Sequence, residues 1–126
     1  MFAWQDSTFL DYIRGGLRVN LSVCVDMTGG DISDPTSKQS LHYLDPRTGE
    51  NVYTTAIKSV GDILQDYDYD KKILGLGFGP MIRGCVDHCY PLNDNPRNPY
   101  CRGVEELLQC YKNTLEKGRY WILILD

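Results

Sequence analysis

The sequence has neither an excess of basic residues nor a long apolar run, and each absence excludes a class of function. Lys and Arg number 13 against 17 Asp and Glu, which leaves a net charge of −4. Nucleic acids and anionic lipids are bound by basic surfaces, so neither a nucleic acid nor a membrane is expected as a direct partner. The longest apolar run, residues 120–125, is too short for a membrane span, which needs ~20 residues.

The cysteines do not form a disulfide framework. Their number is odd, their spacing is wide, and residues 1–6 lack the basic-then-apolar pattern of a secretory signal. We therefore expect free thiols in a reducing compartment and a cytoplasmic protein, which reaches the plasma membrane only through partners. The five cysteines are Cys24, Cys85, Cys89, Cys101 and Cys110.

Zinc and nucleotide motifs are incomplete. Cys85 and Cys89 flank His88, but structural zinc sites need two such short spacings and this chain has one, so exposed thiols are the favoured interpretation. The glycine-rich stretch 75–80 lacks both the G-x-G-x-x-G spacing and a Gly-Lys-Ser/Thr ending. Tight backbone packing explains its glycines better than phosphate binding does.

No arrangement of residues points to an enzyme. The sequence has two histidines, His42 and His88, and no serine lies in a G-x-S-x-G turn. A cysteine next to His88 in sequence is a poor candidate for a nucleophile and base, since such pairs normally assemble across the fold. We predict a protein that binds rather than catalyses.

What the sequence does contain is the pattern of one α/β domain. Its 126 residues, 42% of them hydrophobic, are sufficient for a single core. Period-two alternation and apolar runs predict strands, and apolar residues at spacings of three and four predict helices. The predicted strands are Leu17–Val25, Lys72–Phe78, a short one near His88–Leu92, and Tyr120–Leu125; the predicted helices are Asn51–Tyr67 and Gly103–Lys117.

This order of elements predicts a mostly parallel sheet with flanking helices. The two helices should present apolar faces made of Ala56, Val60, Ile63, Leu64 and Tyr67, and of Val104, Leu107, Leu108, Tyr111 and Leu115. We expect residues 1–16 to form an N-terminal arm, with one helical turn at Phe9–Arg14, and the domain itself to run from residue 17 to residue 126.

A candidate site follows the first predicted strand. Asp26 and Thr28 lie in a tight turn where the strand ends, and ligands of open α/β sheets bind at the carboxyl ends of strands. Their oxygens are of the kind that Mg²⁺ prefers. The alternative is a turn in which both side chains bond only to nearby backbone N–H groups. Spacing alone favours this alternative, because such turns are common.

The chain resembles the copine family over about residues 9–115, through linked motifs in the family's order. These motifs are Phe9–Gly16, Asp26-x-Thr28, Ser40–Tyr43, Ala56-x-x-x-Val60-Gly61, Tyr67-Asp68-x-Asp70-Lys71, Leu76–Gly79, Tyr90–Asn93, Asn98-Pro99 and Leu108-x-x-Tyr111. The resemblance implies a von Willebrand A-type, Rossmann-like fold that acts as a protein-interaction module. It also implies a metal-ion-dependent adhesion site, where Mg²⁺ or Mn²⁺ completes its shell with an acidic group of a partner.

The family's D-x-T-x-S pattern maps onto Asp26 and Thr28, and the resemblance makes Asp126 the candidate for the later acid of the site. Gly30 stands where the pattern has serine, so one hydroxyl ligand is missing. The family's calcium-dependent phospholipid-binding modules have no counterpart in this chain, and calcium-dependent membrane binding is not expected of it.

The resemblance also implies a domain that is incomplete at its C-terminal edge. The strand Tyr120–Leu125 would then expose an edge, which suggests a homodimer through that strand. Two alternatives stay open. One is a degenerate, truncated copine-like protein without a working metal site. The other is a ubiquitin-ligase-associated copine-like domain, which the lack of paired Cys/His ligands disfavours.

Overall fold

A computed structural model of the chain describes residues 6–28, 34–82 and 85–122, with the backbone alone at residues 81–82 and 118–122. The helices in these ranges are α1 (Phe9–Arg14), α2 (Val52–Leu64) and α3 (Gly103–Ile122). The strands are β1 (Ser22–Asp26), β2 (Lys72–Phe78), β3 (Met81–Ile82), β4 (Cys85–Val86), β5 (Tyr90–Pro91) and β6 (Tyr100–Arg102).

The main sheet is mixed, which corrects the prediction of a mostly parallel one. β1 pairs with β2 in parallel, from Ser22 opposite Leu74 to Asp26 opposite Phe78. The other edge of β2 pairs antiparallel with both β5 and β6. Parallel strands need a long crossover such as α2, whereas the chain after β2 returns through irregular segments, which suffice for antiparallel pairing. The α/β class itself is confirmed.

Several predicted elements are confirmed. β2 has the predicted bounds, and Asn51 caps α2 through a capping box in which its side chain accepts the Thr54 N–H. Every residue of the predicted apolar face of α3 is buried: Val104, Leu107, Leu108, Tyr111 and Leu115. These residues pack with Val25 of β1 and Ile73 of β2 into the core.

The first strand begins later than predicted. Residues 17–21 are not part of β1, whose pairing with β2 begins at Ser22. Val25 is buried and Cys24 is exposed, so the second half of the strand is covered on one face only. The side chains of Leu21 and Val23 are partly buried against the core, which accounts for the period-two pattern.

The packed face of α2 was predicted wrongly. Its buried residues are Thr54, Ile57 and Gly61, while Val60 and Ile63 are 52% and 64% exposed. The reason is close helix packing: a Cβ atom on Gly61 would come within 2.5 Å of Val104 Cγ2 in α3. Gly61, the smallest residue of α2, therefore faces α3, while Val60 and Ile63 are exposed.

The predicted C-terminal strand is also wrong over its first part. Residues 120–122 continue α3, and the remainder of the predicted strand lies outside the described residues. Gly118 does not end the helix, because a glycine inside a helix costs only about 1 kcal/mol relative to alanine. The homodimer hypothesis depended on this strand and loses that basis.

The N-terminal arm contains α1, a helix of 6 residues with a capping box between Thr8 and Asp11. The ring of Phe9 contacts that of Tyr67 edge to face, with centroids 5.3 Å apart. The arm therefore packs next to the end of α2. The division of the chain at residue 16 stays a prediction.

Candidate functional site

Asp26 and Thr28 lie at the carboxyl end of β1, where the sequence placed them. Both side chains are exposed. Oδ1 of Asp26 accepts the Thr28 backbone N–H at 2.8 Å and the Thr28 hydroxyl at 2.5 Å. These two hydrogen bonds, the hydroxyl first, hold the pKa of Asp26 below its ordinary value. The turn therefore presents an ionised carboxylate to solvent.

The alternative interpretation is confirmed for Asp26, which accepts a backbone N–H, but not for Thr28, whose hydroxyl donates to the carboxylate instead. This turn does not exclude a cation. A threonine hydroxyl that donates its proton to Asp26 keeps the lone pairs of its oxygen. Among the described residues, Oδ2 of Asp26 accepts no hydrogen bond. The donor set, one carboxylate oxygen and one hydroxyl oxygen, is of the hard type that Mg²⁺ and Mn²⁺ bind.

The turn rests against the end of β2. The Met27 N–H donates to the Phe78 carbonyl at 2.7 Å, which extends the parallel pairing by one bond. Gly79 follows with a φ of +92°, and a Cβ atom there would overlap Thr28. Gly79, the last glycine of the stretch 75–80, therefore serves close backbone packing, as the sequence indicated, and it positions the threonine.

His42 supports the same turn from inside the protein. It is 3% exposed, and its Nε2 lies 3.0 Å from the Asp26 carbonyl oxygen. Because a carbonyl only accepts, Nε2 carries the proton. Tyr53 stacks on the imidazole with ring centroids 4.4 Å apart, and its hydroxyl donates to the same carbonyl at 3.4 Å.

The network continues to α3 and to the cap of α2. Nδ1 of His42 lies 2.7 Å from the Tyr111 hydroxyl, which must donate to it. Asn51 Nδ2 donates to the Tyr111 oxygen at 3.0 Å and to the His42 carbonyl at 3.1 Å. Burial lowers the pKa of His42, although the Asp26 carbonyl and carboxylate oppose this shift. A neutral imidazole therefore joins β1, α2 and α3.

Sequence reasoning did not identify these supporting residues. Ser40–Tyr43 was noted only as part of the resemblance, and Asn51 only as a helix cap. Tyr111 was assigned to the apolar face of a helix. Its spacing in the sequence gives no sign that its hydroxyl bonds to His42, 69 positions away. Both ring nitrogens of His42 are engaged, so its role is to position the turn rather than to act as a free base.

The third predicted metal ligand, Asp126, lies outside the described residues, as does Gly30. In the part of the chain that the structure describes, no three His, Cys, Asp or Glu side chains are close enough to share a metal ion. Two protein oxygens leave most positions of an octahedral ion to water or to a partner. The residues thus fit a weak site only.

Cys85, His88 and Cys89 belong to no cluster of three potential metal ligands within the described residues. Cys85 and Cys89 are exposed free thiols, whereas the free thiol of Cys101 is fully buried in the core. Desolvation raises the pKa of Cys101 to about 12, so it stays a protonated core thiol. Within the described residues, no helix is both long enough and apolar enough to cross a membrane.

One comparison with known proteins bears on this geometry. The family model described as Copine matches residues 40–120, which is more than half of the chain. The matched segment includes His42, Asn51, Tyr53 and Tyr111, the residues that support the turn. It also includes α2, β2 and the greater part of α3.

Proposed function

The chain belongs to the copine family, and from this premise we propose that it is a protein-interaction module with a von Willebrand A-type fold. We propose further that Asp26 and Thr28 hold a Mg²⁺ or Mn²⁺ ion through which an acidic group of the partner is bound. In this proposal the chain carries no catalytic activity. Asp126 is the candidate for a third ligand.

The observation that supports the proposal is the position of Asp26. Its carboxylate is exposed at the carboxyl end of β1, next to a parallel strand, and it stands beside the Thr28 hydroxyl. This edge of an open sheet is where ligands of α/β proteins bind. The neutral His42 and Tyr53 fix the backbone beneath the turn, so the two oxygens keep their relative position.

The ion would supply a positive charge and open coordination positions, and the chain's own residues would orient it. Thr28 would offer its hydroxyl oxygen and Asp26 its second carboxylate oxygen. Because the remaining positions are left to water, affinity for the ion alone should be low, and an acidic partner should raise it.

Calorimetric titration with Mg²⁺, Mn²⁺ and Ca²⁺ tests the proposal. We expect Asp26→Ala to lower the affinity about tenfold or more, and Gly30→Ser, which restores the missing hydroxyl, to raise it. Asp62→Ala removes an exposed acid on α2 and is the matched control, with unchanged binding. Binding heat that survives Asp26→Ala would remove this residue from the site.

A second candidate function has its own support. The described residues supply only two oxygens to the ion, which favours a copine-like interaction module that binds its partner without a metal. In that case wild type and Asp26→Ala give the same featureless titration, and partner binding is insensitive to EDTA.

A further inference from the structure

A concave surface lies at the opposite end of the sheet from Asp26. It is an open cavity of about 290 Å³, lined by residues 16–18, which precede β1, and residues 66–69, which precede β2. β1 and β2 run in parallel, so these segments enter the sheet at its amino edge while Asp26 leaves it at the carboxyl edge. We call this cavity the amino-edge pocket.

One carboxylate oxygen of the amino-edge pocket, Oδ2 of Asp68, has no hydrogen-bond partner among the described residues. Asp68 is only 5% exposed, and its Oδ1 accepts the Asp70 N–H at 3.3 Å. Its Oδ2 is buried and, among the described residues, receives no hydrogen bond. A buried carboxylate is expensive unless a donor or a positive charge satisfies it. In the part of the chain that the structure describes, the surroundings of this second oxygen therefore lack a donor.

The walls of the pocket suit a cation. Asp66 supplies a second carboxylate, and Tyr67 and Tyr69 supply aromatic surface. The guanidinium of Arg18 already lies over the Tyr69 ring, 5.3 Å from its centroid, which shows that this ring accepts a cation on its face. Arg18 makes no ion pair with either carboxylate within the described part of the chain.

We propose that the amino-edge pocket binds a lysine or arginine side chain of a partner protein. The cationic head donates an N–H to Asp68 after a small rotation of that side chain, and the aliphatic stem packs against Leu17 and Tyr67. The volume, about 290 Å³, is at the lower end of the ~300–1,000 Å³ range of ligand sites and leaves room for one side chain. The proposal deepens the interaction function, on which it rests, by naming a chemical feature of the partner.

A divalent metal is the less suitable occupant. Asp66, Asp68 and Asp70 alternate in sequence, but no three acidic side chains of the described residues converge on one point. A single N–H donor satisfies the one orphan oxygen, whereas a metal ion needs several oxygens at once. Ca²⁺ is therefore the comparison ligand in the test.

The test is an NMR titration of the ¹⁵N-labelled full chain with a blocked tripeptide whose central residue is lysine. We expect amide shifts confined to residues 16–18 and 66–70, with millimolar affinity. The same tripeptide with norleucine in place of lysine should cause none. Shifts elsewhere, equal binding of the norleucine peptide, or shifts at these residues with Ca²⁺ alone would overturn the proposal.

Variants separate a binding role from a structural one. Asp68→Asn should weaken the lysine peptide at least fivefold, and Arg18→Gln, which removes a like charge, should tighten it at least twofold. Tyr69 is 84% exposed, so Tyr69→Ala keeps the fold and should also weaken binding. Asp62→Asn is the matched acidic control, with unchanged binding. Unchanged affinity in both Asp68→Asn and Tyr69→Ala would refute the pocket.

The two proposed sites can be refuted separately. Asp26→Ala should weaken metal binding about tenfold or more and leave the lysine peptide unaffected, because the sites lie at opposite ends of β1. A lack of Mg²⁺ binding together with lysine-peptide binding would refute the cation site alone, and the reverse result would refute the pocket alone.

Discussion

Nδ1 of His42 lies 2.7 Å from the hydroxyl of Tyr111, in a part of the core where both side chains are buried. This bond joins the loop after β1 to α3, and the other ring nitrogen joins the same loop to the Asp26 carbonyl. The candidate site is therefore held by an internal polar network rather than by the local turn alone.

Tyr111→Phe removes one hydroxyl and keeps the ring. It leaves His42 Nδ1 buried without a donor, and Asn51 loses one acceptor. An unsatisfied buried polar group costs about 1–3 kcal/mol, so the free energy of unfolding, measured by urea denaturation, should fall by that amount. Tyr12, which is 57% exposed, is the control, and Tyr12→Phe should change stability by less than about 0.5 kcal/mol.

Stability should fall as the pH drops below 6.5. Burial lowers the pKa of His42, whereas in the unfolded chain this residue protonates near its ordinary pKa of 6.5. The unfolded state thus binds more protons below that pH, and the stabilisation is complete above it and lost as pH falls toward the lowered pKa. The slope for one proton is at most about 1.4 kcal/mol per pH unit.

Urea denaturation at pH 7 and at pH 5 measures this dependence. His42→Gln should remove the part of the slope that the buried imidazole causes, even if it lowers stability at both pH values. His88 is exposed, so His88→Gln serves as the matched control and should keep the wild-type slope. An identical slope in wild type and His42→Gln would contradict the assignment.

Gly79→Ala should destabilise the protein more than Gly16→Ala. The two glycines have nearly the same φ, +92° and +95°, so alanine is strained at both, by about 1–3 kcal/mol. A Cβ at Gly79 also overlaps Thr28, whereas one at Gly16 meets nothing within 4 Å. Overpacking adds about 1–3 kcal/mol at Gly79 alone. The difference between the urea midpoints of Gly79→Ala and Gly16→Ala measures this additional cost.

Asn51→Ala should cost more than Thr8→Ala, although each residue caps a helix through a capping box. Loss of a cap typically costs about 0.5–2 kcal/mol. Asn51 also donates to the His42 carbonyl and to Tyr111, so we expect more than about 2 kcal/mol in thermal or urea unfolding. Thr8 caps an exposed helix of 6 residues, where global stability should change by less than about 0.5 kcal/mol. Equal effects would show that the network adds nothing to the cap.

Local sequence patterns correctly predicted the elements whose packing depends on residues close together along the chain. The apolar residues of α3 recur with helical spacing and pack against a sheet, so periodicity identified both the helix and its buried face. β2 is a short apolar run that pairs with other strands on both edges. Asn51 is the N-cap of α2, and its capping bonds depend only on the next few residues. Asp26 and Thr28 were placed correctly, because the end of a strand is a local feature.

The same reasoning failed on α2. Its most apolar stripe, which includes Val60 and Ile63, is exposed, and its packed face contains Gly61. Hydrophobicity ranks side chains by transfer energy, but close helix contact is decided by the space between two backbones. At Gly61 that space is set by Val104 of α3, which lies 43 positions further along the chain. A local sequence pattern around Gly61 does not include this residue.

By itself the sequence determined the α/β class and the family. It also determined the presence of α2, β2 and α3 and the position of the acidic turn after β1, because these depend on residues close together along the chain. Tertiary structure alone decided that the sheet is mixed, that α3 continues beyond Gly118, and that His42 meets Tyr111 beneath Asp26. It also decided that Asp68 is buried with one oxygen, Oδ2, that no donor among the described residues reaches. Each of these results depends on which distant groups satisfy one another's hydrogen bonds and fill one another's space, and that pairing is settled only when the whole chain packs.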